Sequence, residues 1–160
     1  MMRAFKWFYV LLLTASMLIV GSCVIFAPRV QAQGADEQEI VKAMKATFDR
    51  PDAPLIVDPV VVQGDAAIAG WSQQQTGGRA FLRKRKDRWL IVLCSGDQLK
   101  AADTLVTAGL SKVQAKELEV RLAVAEKSLP AERLALFAKF DGLVNVEEDR
   151  SDEAPKGHNH

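Results

Sequence analysis

Four short runs of β-branched and aromatic residues, separated by segments typical of turns, occupy the middle of the chain. The runs are LIVDPVVV, AAIAGWS, GRAFLRK and WLIVLC, and the separating segments are residues 63–65, QQQTGG and residues 85–88. Such runs favour strands, and short polar connections between consecutive strands favour antiparallel pairing. Pro59 lacks the N–H that a central strand needs, which indicates that the first strand lies at an edge. The sequence therefore predicts a four-stranded antiparallel meander.

Apolar residues at helical spacing flank these strands. Before them, DEQEIVKAMKATF predicts a helix with Asp36 as its N-cap and Glu39 completing a capping box, and Pro51 ends it. After them, three segments predict helices: SGDQLKAADTLVTAG, SKVQAKELEVRLAVAEKSL and PAERLALFAKFDG. This order predicts an α+β fold with the helices on one face of the sheet, in a cystatin-like or nuclear-transport-factor-like layout.

The first 32 residues have the order of a secretory signal. A basic start in MMRAFK precedes an apolar run from Trp7 to Ala27, and Val30 and Ala32 are small residues before a polar chain. This pattern predicts cleavage after Ala32 and a periplasmic protein. Because about 20 apolar residues span a bilayer, an uncleaved anchor in the inner membrane, facing the periplasm, is the alternative. A lipoprotein signal ending at Cys23 is disfavoured, since VIFAP continues the apolar run beyond it.

The remainder of the chain predicts one domain and a tail. Residues 33–146 are long enough for a single domain with a core, whereas residues 147–160 contain almost no apolar side chains and predict a disordered tail. The net charge of the whole chain is only +1, so nucleic acid is not an expected partner. A membrane is expected as a partner only through an uncleaved N-terminal segment.

Cys94 is the only cysteine that a chain cleaved after Ala32 would keep. At the end of an apolar strand it is expected to be buried, where a cysteine behaves as a small hydrophobic residue. A functional thiol is the alternative. The helix predicted to begin near Ser95 or Asp97 would place its N-terminus beside the sulfur, and a helix N-terminus lowers the pKa of a thiol.

Five basic residues cluster at the predicted hairpin between the third and fourth strands: Arg83, Lys84, Arg85, Lys86 and Arg88. They form a candidate anion-contacting hairpin. A solvated turn that protects a strand edge is the favoured interpretation, because the domain has no large positive charge to attract a polyanion.

The only histidines, His158 and His160, lie in the last three residues, so a histidine general base cannot be built into the fold. The sequence also lacks a phosphate-binding glycine loop, a paired-cysteine motif and a helical zinc motif, and we expect neither an enzyme nor catalytic residues. The two histidines and the tail carboxylates form a candidate metal site, because nitrogen and oxygen ligands suit Cu(II). A polar tail that merely ends in histidines is the alternative.

The blocks AIAGW, GGRAFL, WLIVLCSGD and FDG, followed by a histidine-bearing end, resemble the bacterial copper uptake system-associated proteins. The resemblance covers most of the chain after the signal. It implies a small exported protein with an accessory role in copper uptake or homeostasis, with copper as its cofactor and copper-uptake components of the envelope as its partners. It supplies no catalytic residues, and only His158 and His160 carry over, as metal ligands.

Two other functions stand beside this one. The first is an exported protein-interaction or small-molecule-binding module with no metal role. The second is a thiol-dependent redox or transfer protein that uses Cys94. Metal titration separates the copper hypothesis from the first alternative, and thiol accessibility separates the second from both.

Overall fold

The computed structural model describes the backbone from Pro28 to Val146 and the side chains from Gln33 onward. The chain divides into two units, and the fold described below is that of the second, Gln33–His160. Residues 1–27 of the predicted signal peptide or anchor, and the whole predicted tail at 147–160, lie outside the described residues. None of the helices in the described part has the length and apolar character that a membrane crossing requires.

Five antiparallel strands form a sheet in the order β1-β2-β3-β4-β5. The strands are β1 (Ile56–Gln63), β2 (Ala66–Gln73), β3 (Thr76–Arg85), β4 (Arg88–Ser95) and β5 (Leu143–Asn145). The helices of the described part are α1 (Pro28–Phe48), a 3-10 helix (Asp97–Lys100), α2 (Ala102–Thr107), α3 (Lys112–Glu126) and α4 (Ala131–Ala138). The α+β class and the antiparallel meander are confirmed, and β1, which contains Pro59, lies at an edge as predicted.

Two-residue turns connect β1 to β2, β2 to β3 and β3 to β4. Such turns match the twist of the strands when their residues have positive φ. Gly64 adopts this conformation with φ 61°, whereas Gln74 (54°), Lys86 (48°) and Asp87 (60°) adopt it while carrying side chains. The second turn is shorter than the predicted QQQTGG, because residues 76–78 already belong to β3.

The sequence does not predict β5. This strand follows Gly142, whose φ is 86°, and pairs Leu143 with Ser95 and Val144 with Cys94. Ser95 Oγ also donates a hydrogen bond to the Gly142 carbonyl oxygen at 2.7 Å. A three-residue strand is too short to show the two-residue period, and it follows a helical pattern, so periodicity could not reveal it.

Helices cover both faces of the sheet, and the prediction that they share one face is wrong. On one face, here called the α1 face, Ile40 and Met44 of α1 pack with Ala67, Ala80 and Leu82 of the central strands. The other face is covered by α2 and α3, whose apolar residues Leu105, Leu118 and Leu122 pack with Ile68, Phe81 and Leu93. Strand side chains alternate between faces, and β2 and β3 carry apolar residues at both sets of positions, so each face needs a cover.

An extra residue in β4 determines which face Cys94 joins. The pairing of β3 with β4 shifts between Phe81 and Leu82, which leaves Val92 without a partner of its own in β3. Beyond this bulge Cys94 belongs to the same core as Ile91, on the α1 face.

The predicted start of the first helix is also wrong. Helix α1 begins at Pro28, and proline suits the first turn because the N–H it lacks has no partner there. Asp36 therefore lies inside α1 instead of capping it. Its Oδ1 accepts hydrogen bonds from Lys84 Nζ at 2.6 Å and from Trp89 Nε1 at 3.1 Å. These bonds attach the β3–β4 hairpin to α1.

We expect Asp87→Gly to stabilise the fold. The left-handed backbone of Asp87 costs a non-glycine residue about 1 kcal/mol, so its replacement by glycine should raise the free energy of unfolding by up to about 1 kcal/mol in urea denaturation. Gln75→Gly is the control, because Gln75 occupies the β2–β3 turn without a positive φ. The expectation is contradicted if Asp87→Gly destabilises the protein as much as Gln75→Gly does.

Candidate functional site

The predicted metal ligands His158 and His160 lie outside the described residues, together with the acidic residues of the tail. Between residues 28 and 146, no group of three or more histidine, cysteine, aspartate or glutamate side chains is arranged to hold a metal ion. The structure does describe the basic hairpin and the surroundings of Cys94. It also shows a buried ion pair that was not predicted.

The five basic residues of the predicted anion-contacting hairpin do not share one surface. Neighbouring residues of β3 point to opposite faces: Arg83 Nη2 donates to Asp65 Oδ2 at 2.8 Å, whereas Lys84 Nζ donates to Asp36 at 2.6 Å. The hydrogen bond to the Asp36 carboxylate raises the pKa of Lys84. Arg83 and Lys84 are thus paired with carboxylates of the same domain. Arg85, Lys86 and Arg88 lie exposed at the tip.

Cys94 is buried, with 5% of its surface exposed, and burial raises the pKa of its thiol to about 11. Burial is the cause of this shift, and the predicted lowering of the pKa by a helix N-terminus is not seen. The 3-10 helix after β4 begins at Asp97 and buries Leu99 in the core of the opposite face, whereas Cys94 belongs to the core of the α1 face. The thiol is therefore protonated at neutral pH, which disfavours thiol chemistry.

Cys94 forms part of the wall of a cavity on the α1 face, which we call the Cys94 cavity. Its volume is about 200 Å³. The lining comes from the end of α1, from the residue before β1, from β2, from β4 and from the chain after α4: Phe48, Leu55, Trp71, Gln73, Cys94, Phe140, Val144 and Val146. None of these side chains carries a charge at neutral pH, and most are aliphatic or aromatic.

Gln73 supplies the amide of this lining. Its Nε2 donates hydrogen bonds to the carbonyl oxygens of Phe48 at 2.9 Å and of Ala53 at 2.6 Å. Only the amide nitrogen can donate, so these bonds fix the orientation of the amide and identify Oε1 as the end that accepts. The rings of Trp71 and Phe140 meet edge to face, with centroids 5.7 Å apart. Trp71 Nε1 is buried and has no hydrogen-bond acceptor among the described residues.

Arg79, in the middle of β3, is 1% exposed and makes three charged contacts. Its Nε and Nη2 donate to the two carboxylate oxygens of Glu126 in α3 at 2.6 and 3.0 Å, and its Nη1 donates to Asp97 Oδ1 at 3.1 Å. The guanidinium carbon lies 5.3 Å from the centre of the Phe137 ring in α4. The sheet, the 3-10 helix, α3 and α4 therefore meet at this one side chain.

The sequence holds two signals for this ion pair. Arg79 lies two residues before Phe81, so the alternation of β3 places it on the same, buried face. Glu126 continues the buried positions Leu118 and Leu122 of α3 at helical spacing. Each of these two buried faces contains one charged residue, and the two charges have opposite signs. This combination indicates an ion pair, although neither position alone would suggest it.

No protein-family model, curated protein or solved structure matches the chain. The resemblance to the copper uptake system-associated proteins therefore stays a prediction from the four sequence blocks. In the fold these blocks meet. Trp71 of AIAGW packs on Phe140 of FDG, and Ser95 of WLIVLCSGD bonds to Gly142 of FDG. A Cβ added to Gly78 of GGRAFL would lie 3.1 Å from the Trp71 ring and 3.2 Å from the Phe140 ring. Their meeting point borders the Cys94 cavity.

We expect the native protein to react slowly with a thiol reagent at Cys94. Burial limits access, and a pKa of about 11 leaves little thiolate at neutral pH. The native rate should therefore climb from pH 7 towards pH 11 without levelling off near pH 9, whereas denatured protein should react fast at pH 8. Cys94→Ala corrects for any labelling at Cys23. Fast native labelling at pH 7 would revive the thiol hypothesis.

Breaking the buried ion pair should be costly. Glu126→Leu leaves the guanidinium of Arg79 buried without its main partner, and the free energy of unfolding should fall by about 3–5 kcal/mol. The double variant Arg79→Met/Glu126→Leu should recover most of this loss, because no charge is then left buried. Arg121→Ala, which removes an exposed ion pair from the same helix, should change stability by about 1 kcal/mol or less. Equal losses in Glu126→Leu and Arg121→Ala would contradict a dominant role for the buried pair.

Proposed function

We propose that the chain is an exported accessory protein of bacterial copper uptake or homeostasis, with no catalytic activity of its own. The N-terminal pattern supports a periplasmic location after cleavage at Ala32, and an uncleaved anchor would hold the same domain on the periplasmic side of the inner membrane. Its partners are copper-uptake components of the envelope. We also propose the finer layout of the fold, in which α1 lies across a curved sheet as in cystatin-like or nuclear-transport-factor-like domains.

The observation that supports this proposal most is the meeting of the four resembling blocks. They are separate in the sequence, yet Trp71, Phe140, Ser95 and Gly142 bring three of them into direct contact. Blocks on consecutive strands of a meander lie side by side in any case, whereas FDG follows α4 and still contacts two of the other blocks. The convergence supports a shared structural unit behind the resemblance.

In this proposal the metal ligands are His158 and His160, with carboxylates of the tail completing the site. Imidazole nitrogen and carboxylate oxygen favour Cu(II), which stands highest in the order of divalent affinities. Ligands close to a chain end must be ordered when the metal binds, so we expect modest affinity. The domain that precedes the tail would act as the partner-binding body.

A second candidate function is an exported small-molecule-binding or protein-interaction module with no metal role. The Cys94 cavity favours it, because its uncharged, largely aromatic and aliphatic lining with one amide is the composition of small-ligand sites. This candidate needs no contribution from His158 or His160.

The copper proposal predicts that the full-length chain binds Cu(II) more tightly than Zn(II) and that His158→Ala/His160→Ala abolishes most of the binding. Binding should also weaken as the pH falls through about 6.5, because protonated imidazole cannot ligate. Isothermal titration calorimetry measures both effects. Asn159→Ala, which changes the residue between the two histidines, should bind as the unchanged chain does. Copper uptake at full stoichiometry by the double variant would move the site away from the histidines.

A chain ending at Asp149 gives an independent check. It should lose most Cu(II) binding while keeping its circular dichroism spectrum and melting temperature, because it retains every described strand, the last of which ends at Asn145, and the whole predicted domain at 33–146. Loss of the fold in this chain would show that the tail contributes to the domain.

A further inference from the structure

We propose that the Cys94 cavity binds a neutral molecule the size of one aromatic ring that carries a hydrogen-bond donor, as a phenol does. The proposal rests on the second candidate function and names its ligand class. It is independent of copper binding by the tail. Four features of the cavity carry it: volume, charge, the fixed amide of Gln73 and the freedom of Trp71.

The volume sets the size of the ligand. An apolar cavity of about 150 Å³ binds benzene, and pockets for drug-sized molecules begin near 300 Å³. At about 200 Å³ the Cys94 cavity lies between these values. It therefore holds one ring with one or two substituents.

The charge of the lining sets the net charge of the ligand. The eight lining residues in the described part of the chain include no aspartate, glutamate, lysine, arginine or histidine. An ion that entered would lose its hydration without meeting a counter-charge, and this loss is far larger than that of a neutral polar group. Carboxylates and ammonium groups are thus excluded, while neutral rings are accepted.

The amide of Gln73 sets the polar group of the ligand. Both N–H bonds are used on the carbonyl oxygens of Phe48 and Ala53, so the amide cannot turn to offer a donor without breaking them. The group offered to a ligand is Oε1, an acceptor. A ligand hydroxyl or N–H satisfies it, whereas a ligand that carries only acceptors does not.

Two aromatic side chains give the site its preference for a ring. Trp71 and Phe140 present the edge-to-face geometry in which aromatic rings attract one another. Trp71 Nε1 has no acceptor among the described residues, so no hydrogen bond within the described part has to be broken when a ligand meets the indole. Val144, which lines the cavity, lies on the edge strand β5 and is 44% exposed, so this part of the lining also faces solvent.

The test uses four small probes of similar size: phenol, toluene, benzoate and benzylamine. Binding to the full-length chain is followed by protection of Cys94 from a thiol reagent and by the shift of the Trp71 indole N–H in NMR spectra. At pH 7 we expect saturable protection by phenol, about tenfold weaker binding of toluene, since one hydrogen bond to a neutral group contributes about 1.4 kcal/mol, and none by the two ions.

Three substitutions test the site. Val144→Phe enlarges a side chain of the cavity lining and should weaken phenol binding at least tenfold. Val124→Phe makes the same change at an exposed valine of α3, on the opposite face, and should leave binding unchanged. Gln73→Met keeps the length of the side chain but removes the acceptor, so it should abolish the preference for phenol over toluene. If this variant does not fold, the preference in the unchanged chain remains the deciding measurement.

The outcomes separate the ligand class from the function itself. If toluene or benzoate binds as tightly as phenol and Val144→Phe blocks it, the cavity is a binding site but the proposed ligand class is wrong. If none of the probes protects Cys94 or shifts the indole signal, the inference fails together with the second candidate function at this cavity. Equal weakening by Val144→Phe and Val124→Phe would also overturn the assignment to the cavity.

Discussion

A buried guanidinium must be met by charged partners, and the ion pair between Arg79 and Glu126 is how this domain meets that constraint. Removing two charges from water costs several kcal/mol for each ion, and only near-ideal geometry and further partners offset that cost. Here both carboxylate oxygens are engaged at 2.6 and 3.0 Å, a second carboxylate from Asp97 shares the guanidinium, and the Phe137 ring lies 5.3 Å from it. The pair joins elements that are distant in sequence, so it constrains their relative positions more than apolar packing alone would.

The segment from Phe137 to Phe140 connects this ion pair with the Cys94 cavity. Phe137 lies so close to β2 that a Cβ on Gly70 would be 2.8 Å from its ring, which explains a glycine in an otherwise apolar strand. Three residues later Phe140 has reached the other face of the sheet, where it meets Trp71. Gly142 then turns the chain into β5, which closes the wall beside Cys94.

Much of this fold could be read from the sequence, because its strands and turns are determined locally. The four runs between residues 55 and 94 agree with β1 to β4 to within a few residues, and each turn lies where polar residues interrupt the apolar pattern. The misjudged features depend on partners distant in sequence. Aspartate is a common N-cap residue, but Asp36 lies inside α1, where its carboxylate accepts hydrogen bonds from Lys84 and Trp89. The face of the sheet on which Cys94 lies depends on the extra residue Val92. A bulge inside a continuous apolar run cannot be recognised from the sequence.

The same dependence on distant partners explains why the basic residues of β3 indicate so little about function. Arg79, Arg83 and Lys84 are close in sequence, yet each bonds to a carboxylate on a different element: Glu126, Asp65 and Asp36. Their charges are used within the domain, and the alternation of β3 sends them to opposite faces. A local count of charges measures composition, whereas attraction of a polyanion depends on charges that face solvent together. The uncharged lining of the Cys94 cavity is the converse case, since its residues lie as far apart in sequence as Phe48 and Val146 and only the fold brings them together. The chemical character of the Cys94 cavity is therefore set by tertiary contacts. The binding of small probes beside Gln73 and Trp71 measures that character.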